Sequence, residues 1–420
     1  MSVPRPPLLV VLGGGAAGFF GALRAAELAP QARVVLLEAT GQPLQKVRIS
    51  GGGRCNVTHH PFDPALALQK YPRGAKELRG VLSRFGSPQT MAWFEAQGVA
   101  LKVERDGRVF PTTDDSETIC QALLRAAEAR GVEVRTHATA RALERTEAGL
   151  RATLKDGSAL DAAAVLLATG SNPQGLALAR SLGHAVVPGV PSLFTFHVKD
   201  ARLEGLAGVS VEKVRARAAT PDGETFEQEG PLLVTHWGLS AHAVLRLSAW
   251  GARSFAASGY KARLVVDFLP DVREDALRAR CEALRREAAR GTVGAHSAAP
   301  ELPRRLWERL VAAAGGDPDI RWSDVPNRGI QMLLDQLKRA EFQVDGKGPF
   351  KEEFVTAGGV ARREVDWRTM ESRVCPGLFL AGEVLDVDAL TGGFNLQNAW
   401  STGWLAGEGM ARRAADAQTP

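Results

Sequence analysis

Apolar and polar residues follow three rhythms along this chain, and the changes between them divide it. The first is the unbroken run Leu8-Leu9-Val10-Val11-Leu12, the pattern of a strand covered on both faces in a parallel sheet. Phe19, Phe20, Leu23, Ala26 and Leu28 then recur at helical spacing, Pro30 stands beyond the end, and Val34-Val35-Leu36-Leu37 is a second buried run. Helical spacing governs much of 60–120, where Gly86-Ser87-Pro88 opens a segment Gln89–Gln97 that stops at Gly98. Gly107–Thr112 reads as a turn and short strand, after which Asp114 or Ser116 caps a helix running through Ala129. Gly131–Val134 is another short strand, Arg151–Leu154 and Leu160 flank an Asp156-Gly157 hairpin turn, and Val165–Leu167 is a third buried run.

Near Pro188 the pattern becomes alternating and short. Leu193–Val198, Val209–Ala216, Glu224–Gln228 and Arg263–Phe268 predict a small antiparallel barrel or sheet. Asp271–Gly291 and Leu302–Ala314 are helical and arginine-rich, and Ile330–Ala340 is a further amphipathic helix. Phe342–Asp345 and Phe350–Thr356 read as strands leading back to a buried run at Leu378–Leu380 and a final helix over Ala399–Gly407. The expected fold is α/β: a Rossmann-like domain formed by both chain ends (1–188 and 346–420), interrupted by a β-rich, barrel-like insert (189–270) and a helical segment (271–345).

The junction after the first strand carries the first chemistry. Gly13, Gly15 and Gly18 fit G-x-G-x-x-G, with Ala16 and Ala17 opening the helix, and Glu38 ends the second strand about twenty residues further on. Gly13 permits the tight turn, Gly15 lets the backbone approach a pyrophosphate, and Gly18 lets the helix pack on the sheet with its free N–H groups facing the phosphates. Glu38 can accept from ribose hydroxyls and repels a 2′-phosphate. Glycines are common here, 44 in all, so the motif alone says little. Strand, glycines, helix, strand and acid in register indicate dinucleotide binding. A signal peptide would also supply an apolar run and alanines, yet it requires neither the glycines nor the acid.

At 420 residues the chain can hold two or three cores, and its 45% hydrophobic and 24% charged content is that of a globular protein. No apolar run is long enough to cross a bilayer. Cys55, Cys120, Cys281 and Cys375 lie far apart with no C-x-x-C, so neither a disulfide framework nor a metal site is indicated, and a cytoplasmic setting is expected. Net charge is +5. Arg273, Arg278, Arg280, Arg285, Arg286 and Arg290 are interleaved with Glu274, Glu282 and Glu287, the pattern of a solvated, salt-bridged face more than of an RNA-binding stripe.

Lys46 to Thr58 contains Ser50-Gly51-Gly52-Gly53-Arg54-Cys55-Asn56, a loop whose backbone can pass close to a flat or charged ligand. Together with the first unit, and with Gly107–Pro111, Val165–Gly170, Gly230–Ser240 and Thr356–Gly403, this segment resembles the YhiN-like or BaiN-like family of bacterial FAD-dependent flavoproteins. One branch of that family is assigned to bile-acid reduction. The resemblance implies that Lys46, Gly52, Gly53, Arg54, Cys55 and Asn56 line the flavin, and that Ala140 passes the adenine. It also implies that Thr169 and Gly170, ending an Ala-Thr-Gly strand, keep the backbone clear of FAD. Ala381-Gly382-Glu383 resembles the C-terminal FAD motif, so Gly382, Glu383 and Asp386 fall at the ribityl or phosphate region. Gly392, Gly393, Phe394, Asn395 and Gln397 start a helix whose N–H groups would face the flavin's pyrimidine edge.

The implied activity is hydride or electron transfer through FAD to or from a small molecule. No second strand-linked G-x-G-x-x-G is present, so NAD(P)H would act as a transient reductant without a domain of its own. Catalytic candidates are Cys55, a redox partner or proton donor if its pKa is lowered, and His236 and His242, which could supply a proton near neutral pH. Each competes with a packing or capping role. The chain departs from the family in a shorter loop after Gly170 and in Ala241-His242, where Gly-Pro is usual. Two other readings remain: an RNA-associated or RNA-modifying flavoprotein, and a flavin-bound regulator without turnover. Substrate and oligomeric state are not legible.

Overall fold

A computed structural model describes residues 6–60, 63–147, 149–348 and 355–416. The chain divides into two compact units, one formed by 1–189 with 356–420 and the other by 190–355.

The first unit is built on a seven-stranded sheet. Its parallel heart runs Leu378–Leu380, Ala164–Leu167, Leu8–Leu12, Arg33–Leu37, Glu133–Arg135, with Val365–Asp366 and Glu371–Ser372 added antiparallel at one edge. Val10 pairs with both Val165 and Val35, and Leu166 with Phe379, so the apolar runs sit side by side. These strands show no alternation of apolar and polar residues because both faces are covered; Leu9, Val10, Val11, Val35, Leu36, Val165 and Leu166 are wholly buried.

Helix Ala16–Leu28 covers one face and is crossed by the final helix, Phe394–Asp416. The crossing is made by glycines. A Cβ on Gly403 would stand 2.4 Å from the Ala17 carbonyl oxygen, and one on Gly407 would stand 2.5 Å from that of Gly21. The backbones therefore touch where side chains would normally keep helices 8–10 Å apart. This helix is longer at both ends than the expected Ala399–Gly407, because Gly403, Gly407 and Gly409 serve packing and do not stop it. The helix Ser116–Ala129 is capped by Asp115, whose Oδ1 accepts from the Glu117 N–H (2.9 Å), and not by Asp114 or Ser116. Asp114 adopts φ +53° and pairs instead with Lys102 and Arg54.

The second unit is an antiparallel seven-stranded sheet, in the order Ala340–Val344, Ala262–Asp267, Ser210–Ala219, Thr225–Thr235, Gly238–Ser240, Phe196–His197, Gly346–Lys347. Its two edge strands are separated in the chain by Asp345 alone, so the sheet is rolled into a barrel-like form. Helices Glu274–Glu287, Arg304–Ala313 and Asn327–Lys338 share one hydrophobic core with it, joining Leu277, Trp307 and Leu334 to Val214, Leu264 and Phe342. The expected strand Leu193–Val198 shrinks to Phe196–His197, whereas Glu224–Gln228 extends to Thr225–Thr235. Of the expected strand Phe350–Thr356, residues 350–354 lie outside the described residues, and Val355–Val360 is a strand. Arg273, Arg280 and Arg339 pair with Asp275, Glu301 and Glu274, as a solvated face requires. Among the described residues no helix is long and apolar enough to cross a membrane.

The helix crossing has a direct test. Gly403→Val should lower stability by about 1–3 kcal/mol, since a side chain there meets backbone. Gly80→Ala, at an exposed position of helix Ala75–Arg84 where the added Cβ meets nothing within 4 Å, should raise it by roughly 0.5–1 kcal/mol. Chemical denaturation of both variants reads the difference; equal effects would mean that the helices do not touch.

Candidate functional site

The first turn is shaped by what surrounds it. Gly13 has φ +108°, and a Cβ there would stand 2.4 Å from the Ala168 carbonyl oxygen; one on Gly18 would stand 1.9 Å from that of Gly13. Gly15, the N-cap of Ala16–Leu28, differs: its Cβ would point into open space, and no described side chain caps the helix. The N-terminal end, with its unpaired N–H groups, is thus left accessible to an anion. Glu38 folds back over the turn. Its Oε2 accepts from the Gly14 N–H (2.9 Å) and its Oε1 from the Thr40 N–H and hydroxyl (both 2.8 Å). The strand end near Ala140 runs alongside, the Ala138 N–H donating to the Glu38 carbonyl (2.8 Å). Ala140 is buried and its carbonyl accepts from Gln174 Nε2 (2.8 Å).

Further along, helix Gln45–Ile49 places Lys46 against Glu383, Nζ to Oε2 2.5 Å. Gly170, at φ +61°, lies beside this pair: its Cβ would be 3.9 Å from Glu383 and 4.0 Å from Lys46. Gly382 (φ +73°) donates its N–H to Thr402 Oγ1 (2.9 Å) on the final helix. Asp386 is buried, with its carboxylate 3.6 Å from Arg362 Nε.

The triple-glycine loop is left-handed throughout, at Gly51 (φ +59°), Gly52 (+69°) and Gly53 (+83°), and Cys55 follows at +60°. A Cβ on Gly51 would stand 3.0 Å from the Phe110 ring, whereas Gly52 and Gly53 face open space. Arg54 lies over Phe110, 4.0 Å from the ring centroid, and is held by Glu104 (2.7 Å) and Asp114 (3.3 Å), which raise its pKa. Asn56 joins this loop to the start of the final helix. Oriented as its neighbours require, its amide oxygen accepts from the Gly393 N–H (2.9 Å) and its nitrogen donates to the Thr58 carbonyl (3.0 Å).

Other side chains at that helix start face inward. Asn395 closes the loop by two 2.9 Å bonds to the Ala389 backbone, and Gln397 accepts from the Thr58 hydroxyl (2.5 Å) while donating to Thr90 and Ser401. Phe394 packs against His59 and Tyr71. Arg73 and Asp388 form a buried, two-pronged ion pair, and Leu390 N–H donates to the Lys70 carbonyl (2.8 Å), so the segment before the helix is strapped down.

Two groups here had no sequence signal. His59 Nδ1 lies 3.3 Å from the Gly392 carbonyl, which can only accept, so that nitrogen carries the proton; burial lowers the pKa. Asn398, only 1% exposed, has no partner among the described residues for either end of its amide, and neither does the buried Thr169 hydroxyl. Open space beside Gly15, Gly52 and Gly53, together with these orphaned polar atoms, fits an extended dinucleotide held mainly by backbone. Among the described residues no cluster of His, Cys, Asp and Glu could hold a metal.

His236 and His242 are exposed and both belong to the second unit, His236 in the turn after Thr225–Thr235 and His242 at the first position of helix His242–Trp250. Cys55 is wholly buried, and desolvation pushes its thiol up to about 12. A neutral thiol without solvent access is neither nucleophile nor ready proton donor. Ser372, His184 and Glu364 line up as in a hydrolase triad (2.9 and 3.0 Å). Ser372 is buried, however, and its oxygen accepts from the Val374 and Cys375 N–H groups, so this chain of bonds pins a turn.

Comparison with known proteins gives a consistent result. The family described as "HI0933-like protein Rossmann domain" matches residues 7–409. A 3-dehydro-bile acid delta(4,6)-reductase of Clostridium scindens is 31% identical over 96% of this chain and 98% of its own. A ribosomal RNA dihydrouridine synthase of Escherichia coli is also 31% identical, over 96% and 97%. Among solved structures, a 3-ketosteroid-delta4-(5alpha)-dehydrogenase of Rhodococcus jostii aligns with a TM-score of 0.51 at 16% identity, over 98% of both chains, a likeness of fold.

All four cysteines are buried and free. The native protein at pH 8 should therefore react with Ellman's reagent at none of them within minutes, and at all four after unfolding. Rapid labelling that peptide mapping traces to Cys55 would contradict the buried placement.

Proposed function

This chain belongs to the HI0933-like Rossmann-domain family and is an FAD-dependent oxidoreductase; we propose that its substrate is a flat ring whose carbon–carbon double bond is conjugated with a carbonyl. The names of its relatives support this. A bile-acid delta(4,6)-reductase and a dihydrouridine synthase act on different molecules. Both names nonetheless describe addition of two hydrogens to a ring double bond activated by a carbonyl. When bound, FAD supplies the hydride transfer.

The observation that carries the cofactor assignment is the backbone-lined path from Gly13 to Gly393. In this reading Gly13, Gly15 and Gly18 admit the pyrophosphate to the N–H groups of Ala16 and Ala17, and Glu38 takes the ribose. The Ala140 strand end lies at the adenine. Lys46, Thr169, Gly170, Gly382 and Glu383 border the middle of the cofactor, with Asp386 behind them. Gly52, Gly53 and Arg54 border the isoalloxazine opposite Gly392 and Gly393, where a helix N-terminus favours an electron-rich edge. Asn56, Phe394, Asn395 and Gln397 position that edge, since their side chains are already engaged with protein. Cys55 contributes backbone conformation, and the proton that accompanies hydride comes from another group.

A second reading places the ring in RNA. Two relatives are named ribosomal RNA dihydrouridine synthases, and Lys and Arg (52) outnumber Asp and Glu (47). RNA binding of this kind would weaken steeply with salt.

Anaerobic reoxidation tests both. FAD on the purified protein, reduced with one equivalent of dithionite, should be reoxidised within minutes by 4-androstene-3,17-dione or by a uridine-containing RNA. The probe that succeeds identifies the reading, and failure of both overturns the substrate class. NADH and NADPH, tried in place of dithionite, identify the donor.

A further inference from the structure

Within the first unit, Asn56 and His59 hold a single peptide group between them. The Gly393 N–H donates to the Asn56 amide oxygen (2.9 Å), and the Gly392 carbonyl of the same peptide accepts from His59 Nδ1 (3.3 Å). Their neighbours extend the seam: the Thr58 hydroxyl donates to Gln397, and Trp400 Nε1 donates to the Val57 carbonyl (3.0 Å). Strand Thr58–His59 is thus fastened to the start of the final helix. The first bond inside that helix runs from the Gln397 N–H to the Gly393 carbonyl (2.9 Å), so the N–H groups of Phe394, Asn395 and Leu396 stand ahead of it. Negative charge is favoured at that end.

The two ring nitrogens of His59 are in different situations. Nδ1 carries a proton whatever the charge on the ring, because the carbonyl can only accept. Nε2 has no hydrogen-bond partner among the described residues, and the residue is half-buried. Proton uptake therefore occurs at Nε2 and places a positive charge beside the helix start without breaking the Gly392 bond. Burial lowers the pKa, and Lys70 and His60 add to the lowering; the Gly392 carbonyl and Asp106 oppose it. The facing strand contributes Arg108, paired with His59 across the ladder, whose guanidinium is held by Glu104 (3.1 Å) and Asp106 (2.7 Å). Phe394, stacked near the ring, is uncharged. With no further negative charge nearby, the imidazole is neutral at pH 7.

We propose that His59 couples proton uptake to the redox state of the flavin: two electrons and one proton convert bound FAD to its reduced anion, and His59 Nε2 takes up a second proton that balances the charge. This assignment rests on the cofactor placement proposed above, with the isoalloxazine at Gly392 and Gly393. It names a source for the proton that the buried Cys55 thiol does not supply. Reoxidation reverses the balance. Hydride leaves the reduced anion for the substrate, neutral FAD is restored, and His59 Nε2 gives up the matching proton. Attraction between the two charges stabilises the imidazolium in the reduced protein, and by linkage makes reduction easier as pH falls.

The midpoint potential of the full-length, FAD-loaded protein, measured from about pH 6 to 8, reads the coupling. One extra proton per two electrons adds a tenfold change in the redox equilibrium for each pH unit, about 30 mV. The wild type should show that added slope, and His59→Asn should lack it. Asparagine keeps a donor for the Gly392 carbonyl and does not titrate, so a role confined to holding the turn would leave the slope unchanged. His59→Gln, a second variant should the first not retain FAD, should lack the added slope too. A slope that persists in the variants, because the flavin itself titrates, overturns the coupling, and so does a wild type without it. If FAD protects 391–397 from hydrogen exchange, either result counts against His59 alone and leaves the cofactor placement standing. Absence of that protection removes the flavin from this turn, and the coupling with it.

Discussion

The architecture of the first unit depends on two helices meeting at their backbones. Ala16–Leu28 comes from one end of the chain and Phe394–Asp416 from the other, and Gly403 and Gly407 let them touch at Ala17 and Gly21. The same closeness positions the turn at Gly382 that follows strand Leu378–Leu380: Thr402 of the second helix accepts from the Gly382 N–H, and Ala17 of the first lies against Gly382. Dispersion contacts at this range are individually small, but a Cβ would remove the geometry altogether. Lys46–Glu383, Gly170 and the glycine turn at Gly13 are gathered along one path as a consequence.

Along that path the surface is mostly backbone, and the side chains act behind it. Asn56 ties the triple-glycine loop to Gly393, Gln397 ties Thr58 to the final helix, and Tyr71 donates to the Phe394 carbonyl (2.8 Å). Arg73–Asp388 is instructive. A buried ion pair is poor evidence of stability, because desolvation offsets most of the attraction. What it provides here is a single geometry for Leu385–Leu390, immediately before the helix start. A hydride-transfer site benefits from such preorganisation, since donors already in place need no rearrangement as charge develops.

Much of this was legible in the sequence, for local reasons. The runs Leu8–Leu12 and Val34–Leu37 can hardly be other than covered strands, and the steric demands on Gly13 and Gly18 are displayed by the structure, whereas Gly15 borders open space. Where the sequence misled, tertiary contacts had overridden a local signal. Gly407 reads as the close of a helix and instead, with Gly403 inside it, makes its contact. Asp114 reads as a cap and is drawn away to Lys102 and Arg54, leaving Asp115 to cap. His59 gave no signal at all, because its position beside Gly392 joins residues more than three hundred apart in the chain.

The central claim is that both chain ends contribute to one lengthwise FAD site. Hydrogen exchange measured by mass spectrometry on the deflavinated chain, before and after FAD is added, tests it most directly. The account predicts new protection in peptides covering 13–18, 50–56 and 391–397 together, with unchanged exchange in the helices of 274–338. Protection confined to 13–18, with the other two segments exchanging as before, would contradict it.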